Sequence, residues 1–197
     1  MSSSTRDRLL DTASRLFYDH GVTATGVDAV VKAAGLTKPT LYAHFPSKSA
    51  LLAAVLERRH TRRTEELESW LQQVDDVRQR PLAVFGWLSS WYEHDGARGC
   101  GFLKAAAELP AEGDASQAVV QREKRWLRDL LARLCREAGL RQPDRLGSQL
   151  LLLIDGVSGR VLVDGPAVAR EALRDATDAA NRLVEAARPA ASTSSTR

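Results

Sequence analysis

Apolar residues recur three and four positions apart along almost the whole chain, a spacing that puts them on one face of an α-helix. In the helix predicted over residues 5–20, this face consists of Leu9, Leu10, Ala13, Leu16 and Phe17. No stretch alternates apolar and polar residues for long enough to predict a strand. The pattern therefore predicts an all-α fold with about nine helices.

Two short helices are predicted next, over residues 27–34 and 38–44, with Gly35 between them. Glycine commonly ends a helix because it adopts the left-handed backbone conformation at little cost. Thr25 and Asp28 have the spacing of a capping box, which predicts that Thr25 caps the first of these helices.

A long fourth helix is predicted from the N-cap Ser47 to about residue 74. Its middle, "ERRHTRRTEELE", is polar all round, and we interpret these charges as solvated pairs such as Arg62–Glu66. Helical spacing continues in five further segments, near residues 80–94, 99–109, 115–138, 143–163 and 166–187.

Composition and charge are those of an ordinary globular protein: 44% of the 197 residues are hydrophobic and 27% charged. A formal net charge of +3 is too weak to argue for nucleic-acid binding by itself. The start lacks the apolar stretch of a signal peptide, and the apolar run at 150–154 is too short to span a bilayer. We therefore expect a soluble, cytoplasmic protein that makes no use of a membrane.

Candidate chemistry is sparse. The two cysteines form no metal-ligand pattern, and we find no nucleophile–base pairing and no phosphate-binding loop. We therefore expect no catalytic residues, no metal site and no cofactor. Cys100, near Arg98, is interpreted as a small buried hydrophobe, with a reactive thiol as the minor alternative.

Helix, glycine turn and helix in succession have the layout of a helix-turn-helix. Thr37 is placed as N-cap of the helix over 38–44, and Leu41 and Phe45 would face inward, one turn apart. The outward face then carries few charges and several hydrogen-bonding groups: Pro39, Thr40 and Ala43, flanked by Tyr42 and His44. The alternative is a surface helix whose Tyr and His pack at its edge.

An outward face of this kind suits the major groove of DNA. Threonine can bond to base edges or touch a thymine methyl group, so Thr40 is a candidate for base readout. Ala43 is small enough to let the helix approach closely. The candidates for phosphate contacts are Thr25, Tyr42, His44 and Lys48.

The segment "GVTATGVDAVVKAAGLTKPTLYAHFPSKSALL", residues 21–52, resembles the N-terminal signature of the TetR family of bacterial transcriptional regulators. Pro39 stands where the family usually has Gly. The resemblance implies a three-helix DNA-binding domain, placed at 1–48, and a larger helical effector-binding and dimerisation domain, placed at 49–187. It implies DNA contacts by Thr25, Thr37, Lys38, Thr40, Tyr42, His44 and Lys48, and residues 188–197 are expected to form a disordered tail.

Aromatic residues cluster after residue 80, either as ordinary core or as the lining of an effector pocket. The candidates for a pocket are Trp87, Trp91, Phe102, Trp126, Leu150 and Ile154. The last two predicted helices carry glycines and an alanine stripe, which predict a four-helix homodimer interface. Its candidates are Leu146, Leu150, Val157, Val161, Ala172, Leu173, Ala176, Ala180 and Leu183.

These expectations combine into a homodimeric repressor that a small, largely apolar effector releases from a palindromic DNA operator. Two alternatives stay open at this point. One is a DNA-binding regulator that acts as an activator or without an effector. The other is a helical ligand-binding protein or enzyme without DNA function.

Overall fold

Nine α-helices and one short 3-10 helix make up most of the described part of the chain, which comprises residues 4–94, 96, 98–109 and 114–189 of a computed structural model. No strand occurs in these residues, and the predicted all-α fold is confirmed. The helices are α1 Thr5–His20, α2 Val27–Ala34, α3 Lys38–His44, α4 Lys48–Gln72, α5 Arg80–His94, α6 Gly101–Glu108, α7 Ala115–Glu137, α8 Pro143–Asp164 and α9 Ala169–Ala186, with the 3-10 helix at Pro166–Val168.

Side-chain caps define the starts of three helices. The Ser4 hydroxyl accepts the Asp7 N–H at 3.1 Å at the start of α1, and the Ser47 hydroxyl accepts the Ala50 N–H at 3.0 Å at the start of α4. The Thr37 hydroxyl caps α3 in the same way. Each cap satisfies one backbone donor that has no partner within its helix.

The capping box predicted for α2 is wrong. Gly26, not Thr25, is the N-cap residue of α2, and it makes no side-chain capping bond. The Thr25 side chain points inward instead, where its hydroxyl lies 2.7 Å from the Gly21 carbonyl oxygen.

The chain divides into two compact units. The first comprises residues up to Glu66 together with Arg98–Arg125, and the second comprises Leu67–Ala97 and residues from Trp126 onward. α6 and the start of α7 therefore belong with the first three helices, although they are distant in sequence. The predicted functional division at residue 48 stays a prediction, and residues 190–197 of the predicted tail lie outside the described residues.

Each unit has its own hydrophobic core. The first core brings together side chains from α1 to α4, α6 and α7, including Leu9, Leu10, Phe17, Leu41, Phe45, Leu51, Phe102 and Val120. The second core brings together side chains from α4, α5 and α7 to α9, including Leu67, Phe85, Trp87, Leu131, Leu150, Ile154, Leu173 and Ala180.

The polar middle of α4 is not fully solvated, which corrects part of the prediction. Arg62 and Glu66 do form the expected exposed pair, at 2.6 Å. Arg63, however, is only 6% exposed and lies 3.3 Å from the Glu123 carboxylate of α7. His60 Nδ1 lies 2.5 Å from the same fully buried carboxylate. The Arg63 guanidinium thus lies beside the buried Glu123 carboxylate, and the His60 ring makes a short polar contact with it.

Both cysteines are buried. Cys100 Sγ lies 3.9 Å from a guanidinium nitrogen of Arg63. Burial raises the pKa of the Cys135 thiol to about 11, so this side chain is protonated at neutral pH.

α8 is the one described helix that is long and apolar enough to cross a membrane by length and composition. Core helices of globular proteins meet the same criterion, and α8 buries one face in the second core through Leu150, Ile154 and Val157. Its apolar character is therefore no sign of a membrane span.

α7 and α8 approach each other closely at Gly147. A Cβ atom on this glycine would lie 2.6 Å from the backbone nitrogen and 2.8 Å from the Cα atom of Ala132. Because backbone atoms cannot rotate away as a side chain does, only glycine fits at this crossing.

Gly147→Ala is therefore expected to lower the free energy of unfolding by about 1–3 kcal/mol, the usual penalty for overpacking a core. Urea unfolding followed by circular dichroism measures it. Gly86→Ala in α5 is the matched control, because its added Cβ would meet only the Trp70 ring at an ordinary 3.5 Å. Equal stability of the two variants would contradict the proposed crossing.

Candidate nucleic-acid interface

The turn between α2 and α3 is built on the left-handed conformation of Gly35, with φ of 62°. The Leu36 N–H donates to the Val31 carbonyl at 2.9 Å, and the Gly35 N–H donates to the Lys32 carbonyl at 3.2 Å. These two bonds close α2 and turn the chain into α3 within three residues. The helix-turn-helix layout predicted from the sequence is present.

Two buried side chains hold α3 in place. Leu41 is fully buried and Phe45, just after the helix, is nearly so, both in the first core. α3 has only seven residues, fewer than an isolated helix needs in water. Its stability and direction therefore come from these two anchors and from its cap.

Arginines from α1 support the same helix pair, and the sequence reasoning missed them. Arg8 donates to the carbonyl of Ala34, the last residue of α2, at 2.5 Å. The Arg6 guanidinium lies 5.3 Å from the centre of the Phe45 ring. In sequence both arginines are ordinary polar positions of an amphipathic helix, so nothing there marks them as supports for another helix.

The outward face of α3 is open to solvent. Tyr42 is 48% exposed, and the other exposed candidates on this helix are Lys38, Pro39 and His44, with Thr40 half-buried. The Thr40 and Thr37 hydroxyls are 2.8 Å apart, so Thr37 both caps the helix and orients Thr40. Thr37 is exposed at the start of this helix, so six of the eight predicted DNA-contact residues lie on α3 or its N-cap and are at least partly accessible to solvent.

Charge on this surface is modest and partly paired. Lys38 forms an exposed ion pair with Asp28 of α2 at 2.8 Å, and the hydrogen bond to Asp28 raises the pKa of Lys38. Lys48 is the first residue of α4 and is half-buried. A cation at this end of a helix is disfavoured by the helix dipole, whereas an anion there is stabilised.

Thr25 differs from the other candidates. It is only 3% exposed, and its hydroxyl lies near two carbonyl oxygens, those of Gly21 and Leu16. Its side chain is occupied in holding the turn between α1 and α2. A contact of Thr25 with phosphate, as predicted, would have to use its backbone.

Five of the six predicted effector-pocket residues lie in or against the second core: Trp87, Trp91, Leu150, Ile154 and, partly buried, Trp126. Trp87 and Trp91 stack with ring centres 6.2 Å apart. Phe102 lies in the first core instead. Sequence reasoning missed a buried polar pair beside the tryptophans, in which the Tyr92 and Ser158 hydroxyls are 2.8 Å apart.

A cavity of about 320 Å³ opens beside this polar pair within the second unit. Tyr92 and Leu173 contribute apolar surface, and Ser89, Glu93 and Arg170 contribute polar groups. The volume is at the lower end of the range for small-molecule sites.

Most of the predicted dimer residues face the interior of their own chain, so burial argues against them as interface residues. They are Leu146, Leu150, Val157, Val161, Leu173, Ala176 and Ala180, each at most 6% exposed. Ala172 and Leu183 are half-buried. The large exposed apolar side chains of α8 are different ones: Leu152, Leu162 and Val163.

Known proteins are similar to this chain in sequence and in fold. A sequence profile described as "Bacterial regulatory proteins, tetR family" matches residues 9–55. The transcriptional activator FasR of Mycolicibacterium smegmatis is 39% identical over 90 residues, 46% of this chain and 41% of FasR. The transcriptional repressor ComR of Escherichia coli is 33% identical over 133 residues, 66% of this chain and 63% of ComR. The chain thus spans less than two thirds of these curated relatives.

A solved structure extends the similarity to nearly the whole chain. A TetR-type transcriptional regulator from Streptomyces avermitilis is 32% identical and superposes with a TM-score of 0.75. The match covers 91% of this chain and 99% of that protein.

The inward position of Thr25 leads to a prediction about stability. Thr25→Val removes the hydroxyl but keeps the shape, so the free energy of unfolding should fall by about 1 kcal/mol. Thr61→Val in α4 is the control and should be near neutral, because the exposed Thr61 hydroxyl bonds only to the Glu57 carbonyl of its own helix. Thermal and urea unfolding of both variants provide the measurement, and an unchanged Thr25→Val protein would contradict the anchoring role.

Proposed function

Because the chain belongs to the TetR family of bacterial regulatory proteins, we propose that it binds double-stranded DNA and regulates transcription. The observation that carries this proposal is the outward face of α3. It combines an exposed phenol, threonine hydroxyls and a small alanine on a helix that two buried side chains hold in a fixed direction. Such groups can meet base edges in the major groove.

We assign base readout to Thr40 and close approach to Pro39 and Ala43. Tyr42, His44, Lys38 and Thr37 are assigned to the groove walls, where phosphates lie. Lys38 would exchange its pairing with Asp28 for a phosphate, so the surface is partly neutralised until DNA arrives. Lys48 is assigned to a phosphate at the start of α4, because the helix dipole there favours an anion.

Two copies of the chain are proposed to bind DNA together, as members of this family act as dimers. Two recognition helices would then enter successive major grooves roughly 34–36 Å apart, which favours a palindromic operator. We place the dimer surface on the exposed face of α8. Leu152 and Val163 are 70% and 84% exposed, and between them Gly156 and Gly159 leave open space above the helix.

This α8 face replaces the buried residues that the sequence pattern suggested. Leu152, Gly156, Gly159 and Val163 are spaced four, three and four positions apart, so they form one stripe along the helix. We keep the half-buried Ala172 and Leu183 of α9 as further candidates for the dimer surface. Small residues allow a partner helix to approach, and large apolar side chains at both ends supply the buried surface.

We propose a small, largely apolar effector that binds in the second unit. The 320 Å³ cavity beside Tyr92 supplies space and polar groups. It adjoins the second core, which contains four of the predicted residues, Trp87, Trp91, Leu150 and Ile154, although these do not line the cavity itself. The effector would act only through different affinities for DNA-competent and DNA-incompetent states. Release of a repressor from its operator is the mode we favour.

A regulator that activates transcription is the second candidate, since FasR is an activator and ComR a repressor. Selection of duplexes from a random-sequence library, followed by binding to the selected duplex, tests DNA binding directly. Selection of no duplex would favour a helical ligand-binding protein instead. Transcription in vitro from a promoter carrying the selected site distinguishes repressor from activator.

Lys48→Ala is expected to weaken binding to every duplex and to reduce the slope of log affinity against log salt by about one, because one phosphate contact is lost. Fluorescence anisotropy at several salt concentrations measures both quantities. Arg128→Ala, which removes an exposed α7 cation paired with Asp129, is the control and should leave the slope unchanged. An unaltered slope in Lys48→Ala would remove this residue from the proposed contacts.

Leu152→Glu is expected to convert the dimer into a monomer at micromolar concentration, because it replaces one of the two large apolar side chains of the proposed interface with a charge that a partner helix would bury. Light scattering measures the mass. Val77→Glu, at another exposed apolar position, should leave the dimer intact. A dimeric Leu152→Glu protein would rule out the α8 surface.

A further inference from the structure

The segment formed by α6 and the turn before it holds the end of α1 through three polar side chains, which we term the α6 clasp: Arg98, Lys104 and Glu108. Lys104 Nζ donates to the Tyr18 carbonyl at 2.5 Å. Arg98 donates to the Asp19 carbonyl at 3.0 Å. The Glu108 carboxylate accepts the Thr23 N–H at 2.6 Å. All of these residues belong to the first unit.

Tyr18 is the fixed point that the α6 clasp surrounds. Its hydroxyl donates to the Gly99 carbonyl and accepts the Arg98 N–H, both at 3.0 Å. The Arg59 guanidinium of α4 lies 4.6 Å from the centre of its ring. One side chain of α1 is thereby linked to α4 and to the turn before α6.

These contacts satisfy backbone groups that α1 cannot satisfy itself. The last carbonyls of a helix lack partners within it, and basic side chains near that end also suit the helix dipole. Arg98 and Lys104, which are distant in sequence, supply both the hydrogen-bond donors and the positive charge at the end of α1. The Gly21 N–H adds a further hydrogen bond, to the Phe17 carbonyl.

The absence of a side chain at Gly21 lets the Glu108 carboxylate approach the backbone there. Gly21 has φ of 91°, and a Cβ atom there would lie 2.9 Å from a Glu108 carboxylate oxygen. The α6 clasp therefore contacts the backbone at several points between Tyr18 and Thr23 and fixes the path of the chain there. α2 begins at Val27, four residues after Thr23, so the direction of α2 and α3 depends on this path.

We infer that the α6 clasp positions α2 and α3 for DNA, and that Glu108 and Lys104 are positioning residues for operator binding whose release disables the recognition helix. The inference rests on the proposed function, since it concerns how the same DNA surface is presented.

The two charged groups of α6 in the clasp, Lys104 and Glu108, have opposite effects on its stability. Burial and the nearby Arg98 and Arg59 charges lower the pKa of Lys104, and Glu108 and Asp19 only partly oppose them. The Lys104 ammonium is thus less favourable in the clasp than in water. Burial raises the pKa of Glu108, but the N–H groups of Thr23 and Val22, with Lys104, outweigh it and leave that pKa below its ordinary value. The Glu108 carboxylate is therefore the group that stabilises the closed arrangement.

The sign of this pKa shift predicts how the stabilisation changes with pH. Glu108 contributes stability that is fully present above its ordinary carboxyl pKa and is lost as pH falls through the lowered value. At neutral pH the α6 clasp is therefore held by a fully ionised carboxylate.

The test compares Glu108→Ala and Lys104→Met with wild type, using a duplex that the wild-type protein selects from a random library. Each variant should bind this duplex about tenfold more weakly, as loss of a charge-assisted hydrogen bond allows. Glu108→Gln, which keeps a carbonyl acceptor for the Thr23 N–H, should recover part of the affinity. Glu68→Ala, at an exposed position of α4, is the matched control and should bind as wild type does.

Hydrogen exchange and unfolding separate positioning from general stability. Exchange of the amides at residues 22–26 should increase in Glu108→Ala, while its dimer mass and far-UV circular dichroism remain those of wild type. Binding is measured well below the thermal midpoint of each variant. Should Glu108→Ala lose its helical spectrum, Lys104→Met and Glu108→Gln make the same comparison.

The possible results distinguish failure of the α6 clasp inference from failure of the proposed DNA-binding function. If wild type selects a duplex and the clasp variants bind it as tightly, the inference is overturned and the proposed function stands. If the loss of affinity equals the unfolded fraction, the α6 clasp is merely structural and the inference is again overturned. If wild type selects no duplex, the proposed function fails, and the inference fails with it.

Discussion

The insertion of Leu41 and Phe45 into the first core is the contact on which the candidate DNA surface depends. α3 has seven residues, and so short a helix has no stable direction of its own. Burying two large side chains one turn apart on the same face fixes which residues are left outside. Thr40, Tyr42 and His44 remain accessible to solvent because Leu41 and Phe45 are the residues of this segment that are buried in the first core.

The surroundings of this helix are arranged to preserve that orientation. Gly35 supplies the left-handed turn, Thr37 caps the start, and Arg8 caps the end of the preceding helix from α1. Hydrogen bonds of this kind are individually modest, and their value here lies in satisfying backbone groups at several helix ends in a small volume. The α6 clasp makes the same kind of contact. Its basic side chains donate to carbonyls in the last turn of α1, as Arg8 donates to the last carbonyl of α2.

The second unit is governed by different requirements. Its core is closely packed where α7 and α8 cross at Gly147, and a cavity of about 320 Å³ opens beside Tyr92. Next to the stacked tryptophans, the buried Tyr92 and Ser158 hydroxyls satisfy each other, so this polar pair is accommodated within a largely apolar core. The opposite face of α8 carries Leu152 and Val163 into solvent, where only a partner would bury them.

Helical spacing, glycine turns and capping residues determined the all-α fold, the helix bounds to within a few residues and the outward face of α3, because these are local properties of a 3.6-residue repeat. Tertiary structure decided everything that depends on which faces meet. It turned Thr25 inward, buried Arg63 against Glu123, put Phe102 in the first core and pointed Leu150 and Val157 into the second. Periodicity identifies the apolar face of a helix but not the surface that covers it, since burial within one chain and burial between two chains leave the same pattern.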